Sequence, residues 1–260
     1  MDDTAASTIP EQDRLVGADR VLAILAELAR HAEGIGLEEM ARVMASNKAT
    51  VHRALAALRR AGFATQDGRG RYLLGDEFLR LAFAHHEARP EHERIRPMLQ
   101  DLARQYGETA HYAVLDGDTV VYRAKIDPPH GAVRLTSTVG GRNPAHCTAV
   151  GKLLLAYALP DDDAVRDWVR GRRLERRTAR TLTTADALAA ALRAVREQGY
   201  ATDDQENEDG VNCLAVPVFL TSPSVPSGAV SISAPTYRTP SSALVAAAAA
   251  IRARVGGVIV

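Results

Sequence analysis

The sequence predicts an α+β chain in two parts: a small helical N-terminal domain closed by a β-hairpin, and a larger C-terminal domain with an antiparallel sheet flanked by helices. Three observations carry that prediction. Apolar residues recur at helical spacing in three short segments before Gly62. Directly after them, two short apolar runs surround an Asp-Gly turn, the pattern of a hairpin. From Ala110 onward strands come first, then helices, then strands again, an order that points to a largely antiparallel sheet covered by helices. The 260 residues suffice for two ordinary domains, and 46% apolar with 25% charged residues is the composition of a folded globular chain.

Taken in order, residues 1–14, opening MDDTAASTIPEQD, are acidic and lack an apolar core, so they are expected to form a disordered tail and not a signal peptide. Asp19 is placed to cap a helix whose face carries Val21, Leu22, Leu25, Leu28 and Ala29, with Gly34 as its stop. A short second helix follows from Leu37. Its seam is Leu37, Met40, Ala41 and Met44, and Glu38 and Glu39 lie in the first turn, where the helix dipole favours negative charge. Ala45, Ser46 and Asn47 separate it from a third helix within NKATVHRALAALRRAGF, the spacing of a helix-turn-helix. The runs Phe63-Ala64-Thr65 and Arg71-Tyr72-Leu73-Leu74 then flank QDGRG as a wing, and residues 15–76 are expected to form this winged domain.

From Asp76 to about Gly107 the pattern is helical, with a break or new first turn at Pro90. Residues 77–90 are expected to be a linker helix and residues 91–260 the second domain. There AHYAVLDGDTVVYRAKI reads as two strands around Asp116-Gly117-Asp118, and VRLTST as another. Helices are expected near 148–159, 161–170 and 185–198, the last ended by Gly199. Strands return in YAT, VNCLAVPVFL and GAVSISA, and a final helix starts near Ser241.

Net charge is zero, yet residues 47–72 hold Lys48, Arg53, Arg59, Arg60, Arg69 and Arg71 against Asp67 alone. At 100° per residue, Ala54, Leu55 and Leu58 cluster about Val51, whereas Ala49, Arg53, Ala56 and Arg60 lie opposite. Such a basic face on an isolated helix is ordinarily a solvated surface. The preceding helix, the brief turn and the wing make it a candidate recognition helix for double-stranded DNA. Small Ala49 and Ala56 permit close approach to a groove floor, and Thr50, His52 and above all Arg53 can address base edges. Lys48, Arg59, Arg60, Arg69 and Arg71 are better suited to phosphates.

In the second domain, HCTAVGK places a base and a nucleophile side by side in His146 and Cys147, but adjacent residues rarely present both groups to one substrate atom. A small-molecule enzyme using Cys147 or Cys213 stands as the alternative reading. His146, Cys147, Asp203 and Cys213 are metal-ligand types without the paired spacing of a zinc motif, so no metal or other cofactor is expected. Thr148 can cap the helix AVGKLLLA, leaving the N–H groups of Ala149, Val150 and Gly151 as an anion-binding end suited to a carboxylate. Two cysteines and the absence of a leader pattern indicate a reducing cytoplasm. The run ALVAAAAAI falls far short of the roughly 20 residues that cross a bilayer. The arginine-rich VRGRRLERRTAR is expected to be a solvated loop or dimer contact, balanced by DDQENED.

Several separated stretches, in order, now carry a resemblance: LEEMARVMASNKATVHRALAALRRAGF, RYLLG, GGRNPAHCTAVGKLLLA, GYATDDQENEDGVNCLAVPVF and SGAVSISAP. From about Asp19 to about Ala253 the chain resembles the IclR family of bacterial transcriptional regulators. The resemblance implies a winged helix-turn-helix joined by a linker helix to a GAF-like effector-binding domain. It implies homodimers, often dimers of dimers, on palindromic operators, acting as repressors or activators under control of a small metabolite. Carried over residue by residue, the effector contacts are Ala149, Val150, Asp203, Cys213, Ser231 and Ser233, with Leu135 and Val211 as apolar walls. Asn143 stands where relatives often carry an apolar residue, which bears on the effector's identity; a small organic acid, aromatic or aliphatic, is expected.

Overall fold

The computed structural model describes residues 17–87, 90–128 and 135–256, the side chains of 85–87 and 90–93 excepted, so the expected tail at residues 1–14 lies outside the described residues. The chain forms two compact units, residues 1–88 and 89–260.

The first unit contains α1 (Gly17–Leu28), α2 (Leu37–Val43), α3 (Lys48–Arg60), β1 (Ala64–Gln66), β2 (Tyr72–Leu74) and α4 (Asp76–Glu87). Ile24, Leu28, Met40, Val51, Leu55 and Leu58 pack into one core with Ala64 and Tyr72 of the hairpin. The turn between α2 and α3 needs a left-handed residue, which Ala45 supplies at φ 44°. Asn47 then caps α3, its side-chain oxygen accepting the Thr50 N–H at 2.8 Å.

Two details differ from the sequence reading. Asp19 is not a cap, because α1 is already helical at Gly17; its carboxylate sits in the first turn. Nor does Gly34 end α1, which stops at Leu28. Gly34 instead adopts φ +78° where a Cβ would lie 3.1–3.2 Å from Arg71, Leu73 and the Tyr72 carbonyl. The reason is a tertiary contact: Ile35 exchanges two backbone hydrogen bonds with Tyr72, of 2.9 and 2.8 Å, which docks the α1–α2 connection onto the wing.

The second unit contains α5 (Pro90–Tyr106), β3 (Thr109–Asp116), β4 (Thr119–Ile126), β5 (Arg142–Pro144), a 3-10 turn (Ala145–Cys147), α6 (Ala149–Ala158), α7 (Asp162–Val169), α8 (Ala185–Gln198), β6 (Ala201–Asp204), β7 (Val211–Val218), β8 (Gly228–Pro235) and α9 (Ser241–Gly256). Six antiparallel strands form one sheet in the order β5-β4-β3-β8-β7-β6. Its central strand β8 is buried along its whole length. On one face Tyr112, Leu214, Val216, Val230 and Ile232 pack against α5 and α9. On the other, Ala113, Ala201, Ala215 and Ala229 are small, which brings α6 and α8 close to the sheet. Gly151 marks that closeness, since a Cβ there would lie 2.2 Å from the Ala145 carbonyl oxygen.

The strand expected at VRLTST is a correction. Residues 133–134 lie outside the described residues, and Leu135–Thr138 form no strand. The edge of β4 is taken instead by the three-residue β5, whose pairing of Asn143 with Val120 a Pro-bearing RNP segment hardly advertises. Leu135 and Ser137 are held by side chain: each carbonyl accepts from the Lys125 ammonium at 2.9 Å. In the second unit the helices expected near 148–159, 161–170 and 185–198 and the remaining strands appear within about two residues of their sequence bounds. Among the described residues, no helix is long and apolar enough to cross a membrane.

Candidate functional site

Two surfaces carry the chemistry, one in each unit. In the first, Lys48, Ala49, His52, Arg53, Arg59 and Arg60 are exposed on α3, with Thr50 and Ala56 half-exposed, opposite the buried seam of Val51, Ala54, Leu55 and Leu58. Arg53 reaches back to the Thr50 hydroxyl at 3.5 Å, so these two side chains sit together on the outer face. Lys48 pairs with Glu38 of α2, and Arg59 donates to Gln66 at 2.9 Å, tying α3 to the hairpin. Arg60 and Arg69 have no ion-pair partner among the described residues.

The wing turn is built by Asp67, whose Oδ1 accepts the N–H groups of Arg69 and Arg71 at 2.9 and 2.8 Å. That frees Arg69 at the tip. Arg71 has a structural task as well, its guanidinium donating to the Gly34 carbonyl.

The second site lies on the alanine-lined face of the large sheet. Antiparallel register sets Asp203, Cys213, Ser233 and Thr109 in one row across four strands. The adjacent row runs Ala201, Ala215, Ser231, His111 and Lys125. Because alternate residues share a face, Ser231 and Ser233 point the same way, as do Val211 and Cys213. Contacts join the two rows at His111. Cys213 and Ser233 are cross-strand neighbours. The His111 Nδ1 lies 3.4 Å from the Ser233 hydroxyl and its Nε2 2.8 Å from that of Ser137. The His111 ring packs on Tyr122 at 5.0 Å, and the Tyr122 hydroxyl accepts from Asn143 at 3.3 Å.

Burial, reinforced by the Lys125 charge, pushes the His111 pKa down to about 3, so its ring is neutral at physiological pH. Burial likewise pushes the Tyr122 phenol up. Beside these rows, Thr148 caps α6 by accepting the Gly151 N–H at 3.1 Å. The cap consumes one of the three N–H groups expected to be free, leaving Ala149 and Val150 at the helix end. Lys152 and Glu206 form an ion pair with side chains only 5% and 11% exposed. Burial pushes the Glu206 carboxyl up against the pull of Lys152, and its Oε2 is unpartnered among the described residues.

Register and α6 thus bring together Ala149, Val150, Asp203, Cys213, Ser231 and Ser233, while Asn143 joins from the sheet edge through Tyr122. Val211 stands at the start of β7, and half-buried Leu135 is bound through its carbonyl. Sequence reasoning missed His111, Tyr122, Ser137, Lys152 and Glu206. A signal existed for His111, which alternates with Thr109 and Ala113 on β3; none existed for the Lys152–Glu206 pair.

The two thiols are poor nucleophiles. Burial pushes Cys147 up to about 12 and Cys213 well above its ordinary value. His146 turns to the Glu175 carbonyl at 3.0 Å, whereas Cys147 points to the Pro144 carbonyl and the Asn207 side chain. Among the described residues, no three His, Cys, Asp or Glu side chains gather as metal ligands. The arginine-rich stretch is locally satisfied: Arg180 pairs with Asp204, Arg170 with Asp167, and Arg177 donates to the Asn207 carbonyl at 3.0 Å.

Two family models match the chain. Residues 90–258 match the bacterial transcriptional regulator IclR C-terminal domain, and residues 17–68 the IclR helix-turn-helix domain. The HTH-type transcriptional regulator KdgR of Escherichia coli is 37% identical over 232 residues, 88% of this chain and 85% of that one. BhcR of Paracoccus denitrificans, also an HTH-type transcriptional regulator, is 35% identical over 221 residues, 85% and 77% of the two chains. In fold, the Thermotoga maritima IclR crystal structure superposes with a TM-score of 0.76 at 22% identity, over 92% and 95% of the chains. An IclR homologue complexed with 4-hydroxybenzoate from Microbacterium hydrocarbonoxydans gives 0.73 at 23% identity, over 91% and 99%.

Proposed function

The chain belongs to the IclR family of bacterial transcriptional regulators, as a DNA-binding regulator that responds to a small molecule, and on that premise we propose its working parts. Arg53, Thr50 and His52 read base edges, with Ala49 against the groove floor. Lys48, Arg59, Arg60 and Arg69 hold phosphates, and Arg71 both braces the wing and contributes to the local field. Those phosphate contacts set affinity and register, while Arg53 sets sequence preference. The effector is a small organic acid held between α6 and the polar rows of the sheet. Its carboxylate takes the N–H groups of Ala149 and Val150 with Asp203 beside it, while Cys213, Ser231, Ser233 and Asn143 address the rest of the molecule, with Leu135 and Val211 as apolar walls.

The observation that carries the effector reading is the set of buried polar side chains, Asp203, Ser231, Ser233 and His111, laid in two adjacent rows on the sheet face otherwise lined by alanines. Burying polar groups costs free energy unless they find hydrogen-bond partners, and a polar ligand would supply partners there. The chain works in the cytoplasm as a homodimer or a dimer of dimers on a palindromic operator, because the symmetry of such a site mirrors that of the protein. Its role is regulation and not catalysis; the raised thiol pKa values speak against a cysteine enzyme, since thiolate is needed for nucleophilic attack.

The test couples both ends. Fluorescence anisotropy with duplexes from the DNA flanking the chain's own gene is measured with and without candidate acids, 4-hydroxybenzoate and pyruvate among them. Displacement or tightening by one acid supports the reading; duplex binding that no acid alters, with no acid raising the thermal midpoint, refutes the effector assignment.

A further inference from the structure

Asp203 is a carboxyl buried to 3% exposure with no ion-pair partner among the described residues. Its Oδ1 accepts two backbone N–H groups, from Glu206 at 2.7 Å and Asn207 at 3.4 Å. Around it stand Cys213 on β7, Glu206 in the following turn and Cys147 ahead of α6, with Ser233 on β8 one strand beyond Cys213. The nearest ammonium, Lys152 of α6, is already engaged by Glu206. Asn207 connects Asp203 to the ligand end of α6: its N–H reaches Asp203, and its side-chain oxygen accepts from Cys147, next to the capping Thr148. A carboxylate seated at that helix end would therefore stand near a second carboxyl that is buried to 3% exposure and has no ion-pair partner among the described residues.

We propose that the site binds a carboxylate effector together with one proton, which Asp203 holds, so that Asp203 selects for acids by donating a hydrogen bond to them. This rests on the organic-acid reading above. Two carboxyl groups that share a dry site cannot both ionise, and the shared proton gives a short O–H···O⁻ bond, stronger than a neutral one. Without ligand, burial and the Glu206 charge push Asp203 up to about 7, against the two backbone N–H groups and Lys152. Arriving negative charge pushes it higher. Asp203 is thus already protonated in mildly acid solution, and it gains its proton on binding in mildly alkaline solution. The dissociation constant stays flat below about pH 7 and weakens tenfold for each pH unit above it.

The experiment is isothermal titration of the full-length chain with pyruvate and with 4-hydroxybenzoate, in buffer pairs of high and low ionisation enthalpy at about pH 6 and about pH 8.5. Proton uptake is expected near zero at the lower pH and approaching one at the higher, with affinity at least tenfold weaker there. Asp203→Asn keeps an acceptor for the Glu206 and Asn207 N–H groups and supplies a permanent donor. It should bind without proton uptake and with the same affinity at both pH values. Wild-type binding without uptake at the higher pH overturns the proposal, as does an unchanged pH slope in Asp203→Asn. If neither acid produces heat at either pH, the proposal falls together with the organic-acid reading; binding without uptake sinks the proposal alone.

Discussion

Replacing Lys152 by Met should destabilise the C-terminal unit by an amount set by pH. The ammonium is 5% exposed and its partner carboxylate 11%, so water cannot replace the lost charge. Breaking a pair this deeply buried ordinarily costs about 3–5 kcal/mol. Glu206 has an escape, however, which is to take up a proton. From an unfolded pKa of about 4.3, holding that proton at pH 7 costs roughly 3.7 kcal/mol, and at pH 5 only about 1 kcal/mol. The expected loss is therefore about 3 kcal/mol at pH 7, shrinking below about 1 kcal/mol at pH 5. Differential scanning calorimetry reads this as a midpoint lowered by about 6–12 °C at pH 7 and no more than about 4 °C at pH 5, given 2–4 °C per kcal/mol in a domain of this size. An equal loss at both pH values, or one under about 1 kcal/mol at pH 7, would refute the idea that an orphaned Glu206 charge is the cause.

Arg53→Ala should abolish the difference in affinity between operator and random duplex, whereas Arg69→Ala should weaken both alike; the reverse pattern in anisotropy titrations would exchange their roles. With Lys48, Arg59, Arg60 and Arg69 on phosphates, log K against log salt should fall with a slope near −4 per recognition unit. Gly151→Ala should cost several kcal/mol or prevent folding, because its methyl would meet the Ala145 carbonyl at 2.2 Å, and urea titration would expose the error if the variant were as stable as wild type. The pKa of His111, held at about 3, lies below its unfolded value. The unfolded chain therefore takes that proton first, so stability is complete above about pH 6.5 and declines as pH falls toward 3. His111→Gln should flatten that decline in a series of melts.

The recognition helix was legible residue by residue. Val51, Ala54, Leu55 and Leu58 at helical spacing define the buried seam and, by exclusion, the outward position of Arg53. Asn47 was readable as a boundary, and Asp67 with Gly68 as a turn, because caps and turns are made by neighbours in sequence. Alternation along β7 and β8 likewise put Cys213 with Val211, and Ser231 with Ser233, on common faces.

What the sequence by itself determined was whatever depends on periods of two and 3.6 and on contacts a few residues apart. Only the tertiary structure decided the rest. It seats Lys152 against Glu206 across 54 positions, His111 against Ser233 across 122, and Arg71 against Gly34 across 37. It also gave the free edge of β4 to Arg142–Pro144, while Leu135–Thr138 form no strand. Such pairings follow from strand order and sheet closure, and strand order is a property of the whole packed chain, which no local pattern encodes.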